Sequence, residues 1–504
     1  MRSNERIDRI VIVGGGISGL SSAFYVLRQA EEQGRKVRIT LVEANDHVGG
    51  LIQTLRRDDF VIEQGPDSFL ARKLPAIELT RELGLEGELT DQNARQSFIV
   101  REGRLLPMPR GLVLGIPTDL EAFMATELVS EEGKQLALKD LELPARPAAT
   151  AGDDDESIGG FLERRVGTEV MERLAEPLLA GIYAAELRQL SLQATFPQFR
   201  QVELAHGSLI RGMQSSRQTA PVHEDKPSPA VQTSVFLSYK RGLSTLIEGL
   251  DAALQSIDRR LGTAAAAIRD RRAEAEDGGG MRDDDRLGSP RYAIDLSDGQ
   301  SVDADAVILT VPAYHSADLL APLAPVPELE EMRYVSVANI VLGFDAASFG
   351  RELDGSGFVV PRSEGYSITA CTWTSAKWSH TAPEDKVLIR CYVGHAGEET
   401  IVEESDEEIT ARVRADLLAL MGIEVEPEFV EITRLRRSMP QYPVGHISRI
   451  ARLRERLAER LPGIWVTGMA FDGVGIPDCI RQGKEAAAAV LAELDSSRST
   501  EMSV

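Results

Sequence analysis

The chain has 504 residues, 43% of them hydrophobic and 5% aromatic, which is too long for one ordinary core and suggests two or three domains. Its formal net charge of −23 argues against nucleic acid and against strong adhesion to an anionic membrane. Cys371, Cys391 and Cys479 show neither C-x-x-C pairing nor metal spacing, and with no secretory segment or spanning apolar stretch in view, a reducing cytoplasm is the expected setting.

In chain order, Ile10-Val11-Ile12-Val13 reads as a buried strand that opens into Gly14-Gly15-Gly16-Ile17-Ser18-Gly19-Leu20 at the head of a helical pattern. In this G-x-G-x-x-G, Gly14 permits a tight turn, Gly16 lets backbone approach a pyrophosphate, and Gly19 lets helix and strand pack closely. The phosphate charge would sit at the helix N-terminus. A second apolar run, Ile39 to Val42, ends at Glu43, an acid placed to accept hydrogen bonds from a ribose. Together these predict a dinucleotide site, and NAD and FAD share the fingerprint. After Ala44 and His47 comes a second pair, Gly49-Gly50, and then Gly65-Pro66-Asp67-Ser68. Two surface turns would explain them, but they also suit a longer ligand that lies extended across the fold.

From about 91 to 212 the pattern is mostly helical, with apolar residues at Val166, Val170, Leu174, Leu178 and Leu179. Arg217 to Ser234 reads as a mobile loop, Ala273 to Pro290 as a solvated one, and Asp153-Asp154-Asp155 as a solvent-facing charge run without functional weight. Leu243 to Leu261 reads as helix. Val307 to Val311, stopped by Pro312, is a buried-strand signal, and strands follow between about 321 and 430. Near the C-terminus, Gly463 to Gly468 reads as a strand leading into Gly473-Val474-Gly475 and an Ala-rich helix, Cys479 to Leu494. Asp478 is the expected N-cap, and the glycines leave room for a planar ring at the positive helix end.

Further segments run through the chain in order: GPDSFLARK (Gly65–Lys73), PMPRGLVLGIPT (Pro107–Thr118), EPLLAGIYA (Glu176–Ala184), LQATFPQF (Leu192–Phe199), ITACTWTSAKW (Ile368–Trp378), MPQYPVGH (Met439–His446) and FDGVGIPDCI (Phe471–Ile480). With the glycine fingerprint, this set resembles the flavin-dependent porphyrinogen oxidases of the wider amine-oxidase-like FAD family. Within that group it is most similar to the soluble bacterial coproporphyrinogen III oxidases.

The resemblance implies a mixed α/β fold with a Rossmann-type FAD-binding domain assembled from residues 1–90, 235–320 and 431–495. A helical domain, 91–212, and a sheet-containing substrate domain, 321–430, would complete it. FAD would be held without a covalent link by Gly14 to Leu20, Glu43, Ala44, Gly49, Gly50, Gly65 to Ser68, Ala265, Leu435, and Gly473, Val474 and Gly475. The implied reaction removes six electrons from coproporphyrinogen III in three rounds with dioxygen, releasing three hydrogen peroxide and giving coproporphyrin III for haem biosynthesis. The cofactor carries that chemistry, so neither a catalytic triad nor a metal site is expected, and no catalytic side chain is assigned.

Four propionates require local positive charge on so acidic a chain, and by family motif Arg72 and Lys73 supply it, with ordinary solvated surface residues as the plainer reading. Ile182 and Tyr183 match a pocket-lining position, and His446 is a proton shuttle or a structural hydrogen-bonding group. Two departures stand out. His47 replaces a basic residue of the family, and Leu435 stands where close relatives carry Trp. The alternatives are a protoporphyrinogen IX oxidase and a flavin- or porphyrin-binding protein without turnover. Peripheral membrane contact and handover of product to a downstream haem-pathway enzyme stay open.

Overall fold

A five-stranded parallel sheet organises the glycine-rich start of the chain. The computed structural model describes residues 7–94, 96–147, 154–218, 235–273 and 289–501. In it, β1 (Asp8–Val13) is followed by α1 (Ile17–Glu32) and β2 (Val37–Val42), and the sheet is completed by β3 (Asp258–Arg260), β4 (Ala306–Leu309) and β5 (Ile464–Val466). The spatial order is β3-β2-β1-β4-β5. β1 lies at its centre, paired in parallel with β2 and β4.

The two-residue period of these strands sorts side chains into separate cores. Ile10, Ile12, Ile39, Leu41 and Ile308 join α1 and the long C-terminal helix α2 (Ile476–Glu501) on one face. Val11, Val13, Val42, Val307 and Leu309 join the helices Ala313–Leu320 and His446–Arg460 on the other. Burial on both faces is why the strands read as continuous apolar runs. The helices α1 and α2 approach closely at Gly483, where a Cβ would meet Ser18 O, Ser21 Cβ and Ser22 N at 3.0 Å.

A second sheet of seven strands has the order Phe429–Pro440, Tyr334–Asp345, Lys386–Val393, Ile368–Thr372, Gly357–Val359, Phe98–Arg101, Arg104–Pro107. It thus takes two strands from the predominantly helical early segment, and its first strand crosses residue 430. That strand pairs with Tyr334–Asp345 from Phe429 to Pro440, a register too long to stop at the expected boundary. The helix Asp406–Met421 covers one face through Ile409, Val413, Leu417, Leu420 and Met421.

Helices between Ile158 and Met213 form a third core with Tyr442. There Val166, Val170, Leu174 and Leu179 are fully buried, while Leu178, of the same apolar set, is only half-buried. Gly167 (φ +82°) breaks the run, and a π-type turn over Met171–Ala175 shifts its phase.

Three expectations are corrected. Leu243–Leu261 is not one helix: Ser244–Ala253 is helical, and the chain then turns into β3 on the sheet edge. Asp155 is not a bare solvent-facing charge. Its Oδ2 accepts from Ser191 Oγ (2.6 Å) and Gly445 N (2.8 Å), tying the helical lobe to the MPQYPVGH segment. Asp154 likewise holds Arg200 at 3.0 Å. Asp153 and most of the two expected loops, 219–234 and 274–288, lie outside the described residues, while Arg217 and Gln218 continue a helix.

Candidate active site

The turn from β1 into α1 is built from approaches that only glycine permits. Gly14 has φ +110°, and a Cβ on it would stand 2.5 Å from Thr310 Oγ1. A Cβ on Gly19 would stand 1.8 Å from Gly14 O. Gly16 differs, because a Cβ there meets nothing nearer than Gly50 Cα at 3.9 Å, so the space before it is open to a ligand. Thr310, at the end of β4, braces the turn by donating Oγ1–H to Val13 O (2.9 Å) and Gly14 O (3.1 Å). Ile17, Ser18 and Leu20 are buried beneath it.

Glu43 is folded into the same turn. Its Oε2 accepts from Gly15 N (2.6 Å), and its Oε1 accepts from Asn45 N (2.8 Å) and Asn45 Nδ2 (2.7 Å). Each carboxylate oxygen has more than one acceptor site, so a hydroxyl can still be received. Gly49 N donates to Gly15 O at 2.8 Å, which presses the second glycine pair against the first. Ala44 is exposed beside Glu43. Gly262 N bonds Asn45 O (2.6 Å) and Thr263 N bonds Glu43 O (3.0 Å), bringing Ala265 to this edge as well. His47 is exposed, and both ring nitrogens already face protein partners, Asp46 Oδ1 (2.7 Å) and Gln53 Nε2 (2.9 Å).

The Gly65–Ser68 turn is anchored from the second sheet. Arg390 Nη2 donates to Gly65 O, and a Cβ on Gly65 would stand 1.7 Å from Leu51 O. Pro66 is half-buried. Asp67 accepts from Ser68 Oγ (2.7 Å) and pairs with Lys377 Nζ (3.3 Å). Burial would push its carboxyl up, but Lys377 and Arg390 outweigh that and hold it at about 2. Glu63, which also feels Arg390, is pushed up to about 7 by burial, although it accepts from Leu243 N and Thr54 Oγ1.

At the other end, α2 begins at Ile476, so Asp478 is not its N-cap but its third residue. Pro477 explains the earlier start, since its fixed φ suits the first helical turn and its missing N–H costs nothing there. A carboxylate in this turn still complements the positive helix end. Gly473 (φ +114°) donates its N–H to Tyr442 Oη (3.0 Å), which in turn donates to Met469 O (2.5 Å). Gln482 Nε2 donates to Gly473 O at 3.3 Å. Val474 packs on the helical lobe, and Gly475 O receives Cys479 N. His446 is buried, bonds Phe471 O through Nε2 (2.9 Å) and stacks on Tyr442. Burial lowers its pKa, so the ring is neutral at pH 7 and holds this loop.

Lys73 Nζ lies 2.5 Å from Asp478 Oδ2, joining GPDSFLARK to the head of α2. Tyr183 is buried, and its phenol pKa is raised by burial and by the Asp478 charge. Lys73, Tyr183 and the Gly473–Gly475 turn are thus brought together around Asp478. Ile182 is 42% exposed against 6% for Tyr183, so the two neighbours do not share one environment. Arg72 is exposed, and Leu435 is half-buried opposite Val337. Thr310, Lys377, Arg390, Gln441, Tyr442 and Gln482 were not singled out by sequence. Gln441 Nε2 holds Tyr183 O at 2.8 Å. Lys377, Gln441 and Tyr442 sit inside the quoted motifs, which was the available signal.

The chain matches a family described as flavin containing amine oxidoreductase over residues 17–491. It is 44% identical over 487 residues to coproporphyrinogen III oxidase of Bacillus subtilis, covering 97% of this chain and 98% of that protein. It is 38% identical over 487 residues to the Staphylococcus aureus protein of the same name, with 96% and 99% covered. A solved Exiguobacterium structure, provisionally described as a protoporphyrinogen oxidase, superimposes with a TM-score of 0.82 at 39% identity, covering 97% of this chain and 99% of that one. The open cradle before Gly16, the Glu43 carboxylate folded into the same turn and the family match over residues 17–491 agree in one assignment: the chain is an FAD-dependent oxidoreductase and belongs to the flavin containing amine oxidoreductase family.

Proposed function

We propose that this chain oxidises coproporphyrinogen III to coproporphyrin III with dioxygen as acceptor, in haem biosynthesis. The observation that carries the reading is the full-length likeness to coproporphyrinogen III oxidases, 44% identical at the nearest of those described above. FAD, when bound, supplies the two-electron acceptor and its reoxidation by dioxygen, and a six-electron oxidation takes three such cycles.

The chain's own residues bind, orient and exclude water. Gly14 to Leu20 and Glu43, with Ala44, Gly49, Gly50 and Ala265 beside them, hold the pyrophosphate and adenosine half. Gly65 to Ser68, Leu435 and Gly473 to Gly475 enclose the ring half. The α2 N-terminus favours negative charge that develops on the ring. Lys73, with Arg72 exposed beside it, meets substrate carboxylates, and Tyr183 and Ile182 border the macrocycle. Among the described residues no cluster of His, Cys, Asp or Glu is placed to hold a metal. No described helix is long and apolar enough to cross a membrane. A cytoplasmic setting, with product passed to a later haem-pathway enzyme, belongs to this reading.

A protoporphyrinogen IX oxidase is the second reading, favoured by the provisional description of the Exiguobacterium structure. Anaerobic mixing with each porphyrinogen decides between them. Faster loss of flavin absorbance with the tetracarboxylate, followed by porphyrin fluorescence on admitting oxygen, is the expected result. Preference for the dicarboxylate transfers the assignment, and no reduction by either removes the oxidase reading.

A further inference from the structure

The Lys73–Asp478 contact joins residues 405 positions apart at 2.5 Å, and the two side chains differ in freedom. Asp478 is 15% exposed and sits in the first turn of a 26-residue helix. Its side chain packs against Gly473 and Gly475, since a Cβ on either would come within 2.7–2.9 Å of it. Lys73 precedes the short helix Leu74–Glu82, and its side chain is 41% exposed. A flexible four-carbon stem on the exposed partner makes Lys73 the one that can turn.

Asp478 would not be stranded by that turn. The positive end of α2 supports it, and Arg481 also lies within its field. A partly exposed ion pair contributes little to stability and exchanges partners at low cost. The field of Asp478 also reaches Tyr183, on the side assigned to the macrocycle. One carboxylate therefore stands between the residues assigned to the cofactor and those assigned to the substrate.

We infer that Asp478 is the resident counter-ion of Lys73 and that a substrate carboxylate binds by taking Lys73 from it. Asp478 thereby acts as a positioning residue that holds Lys73 at the mouth of the site and weakens its grip on any one carboxylate. The inference rests on the porphyrinogen oxidase reading and deepens it.

The test is the dissociation constant of coproporphyrin III, a tetracarboxylate that does not reduce flavin, on flavin-loaded protein. It is measured for wild type, Asp478→Asn, Asp478→Ser, Lys73→Met and the Lys73→Met/Asp478→Asn double variant. Removing the counter-ion tightens binding by about two- to fivefold, the range of a partly exposed ion pair. That gain disappears in the Lys73→Met background, a non-additivity that a merely structural Asp478 would not produce. Unchanged or weaker binding in both Asp478 variants, with Lys73→Met impaired, overturns the inference and leaves the carboxylate role of Lys73 standing. Normal binding by Lys73→Met removes that role itself and the inference with it. Loss of flavin from both Asp478 variants also overturns it, by placing Asp478 in the cofactor site.

Discussion

Lys377 Nζ lies 3.3 Å from Asp67 Oδ2, across 310 residues of chain, and fastens the ITACTWTSAKW segment of the second sheet to the Gly65–Ser68 turn. Neither residue is more than 17% exposed at its side chain, so both charges are largely withdrawn from water, and Arg390 supports Asp67 as well. Lys377 also lies 5.3 Å over the Trp378 ring and 5.5 Å over the Phe236 ring.

Lys377→Met is therefore expected to destabilise the protein by about 1–3 kcal/mol, the usual cost of stranding a mostly buried charge that keeps one further partner. Asp67 has a folded pKa of about 2 against an ordinary 3.8, so its contribution is present above 3.8 and lost as pH falls toward 2. Urea unfolding at pH 7 and at pH 3 checks both parts. The variant should lose stability at pH 7, and the gap from wild type should narrow at pH 3.

Gly16→Ala and Gly19→Ala should separate ligand approach from packing. The nearest atom to a Cβ at Gly16 is 3.9 Å away, so this variant should fold and melt like the wild-type apoprotein yet bind little FAD. At Gly19 the Cβ would stand 1.8 Å from Gly14 O, so the apoprotein itself should lose about 1–3 kcal/mol or more. Flavin absorbance per chain and apoprotein melting temperature separate the two. Equal melting losses would show that the open space before Gly16 does not exist.

Glu63 is buried and its carboxyl is raised from 4.5 to about 7. The folded state then holds a proton that the unfolded chain has released, so stability falls as pH rises from about 4.5 to about 7 and flattens above. Glu63→Gln should remove this slope and gain on the order of 2 kcal/mol over wild type at pH 7.5. Melting curves from pH 5 to pH 8 test it, and parallel curves would refute it.

For His446, the buried Nε2 contact to Phe471 O predicts a structural role. His446→Phe keeps a ring against Tyr442 but leaves that carbonyl unpaired, at a cost of about 1–2 kcal/mol. Because burial lowers the histidine pKa, wild type loses stability as pH falls below about 6.5, and the variant should not. The pH profile of flavin reduction should keep its shape. Loss of one limb would restore the proton-shuttle reading.

The strands around the glycine fingerprint were legible because burial on both faces writes itself as uninterrupted apolar runs. Ile10 to Val13 became a strand as read, whereas the run Val307 to Val311 pairs in the same parallel sheet only as far as Leu309, because Thr310 turns to bond the glycine loop. The short edge strand Asp258–Arg260 was not, since three polar residues at a sheet edge carry no apolar period. Asp155 was set aside because an acidic run usually faces water. What the sequence could not display is that its carboxylate meets an N–H of Gly445, 290 residues away.

The same division runs through the site. Local rules determined the glycine turn, the acid after the second strand and the family, because each is written in residues close together or in motifs read whole. Which charges face each other was decided by tertiary structure alone. Lys73 reads as a carboxylate-binding residue by family motif and Asp478 as a helix cap, and only the packing of α2 against the N-terminal segment makes them one ion pair. Coulomb energy depends on distance in space and on burial, and neither is a property of position along a chain.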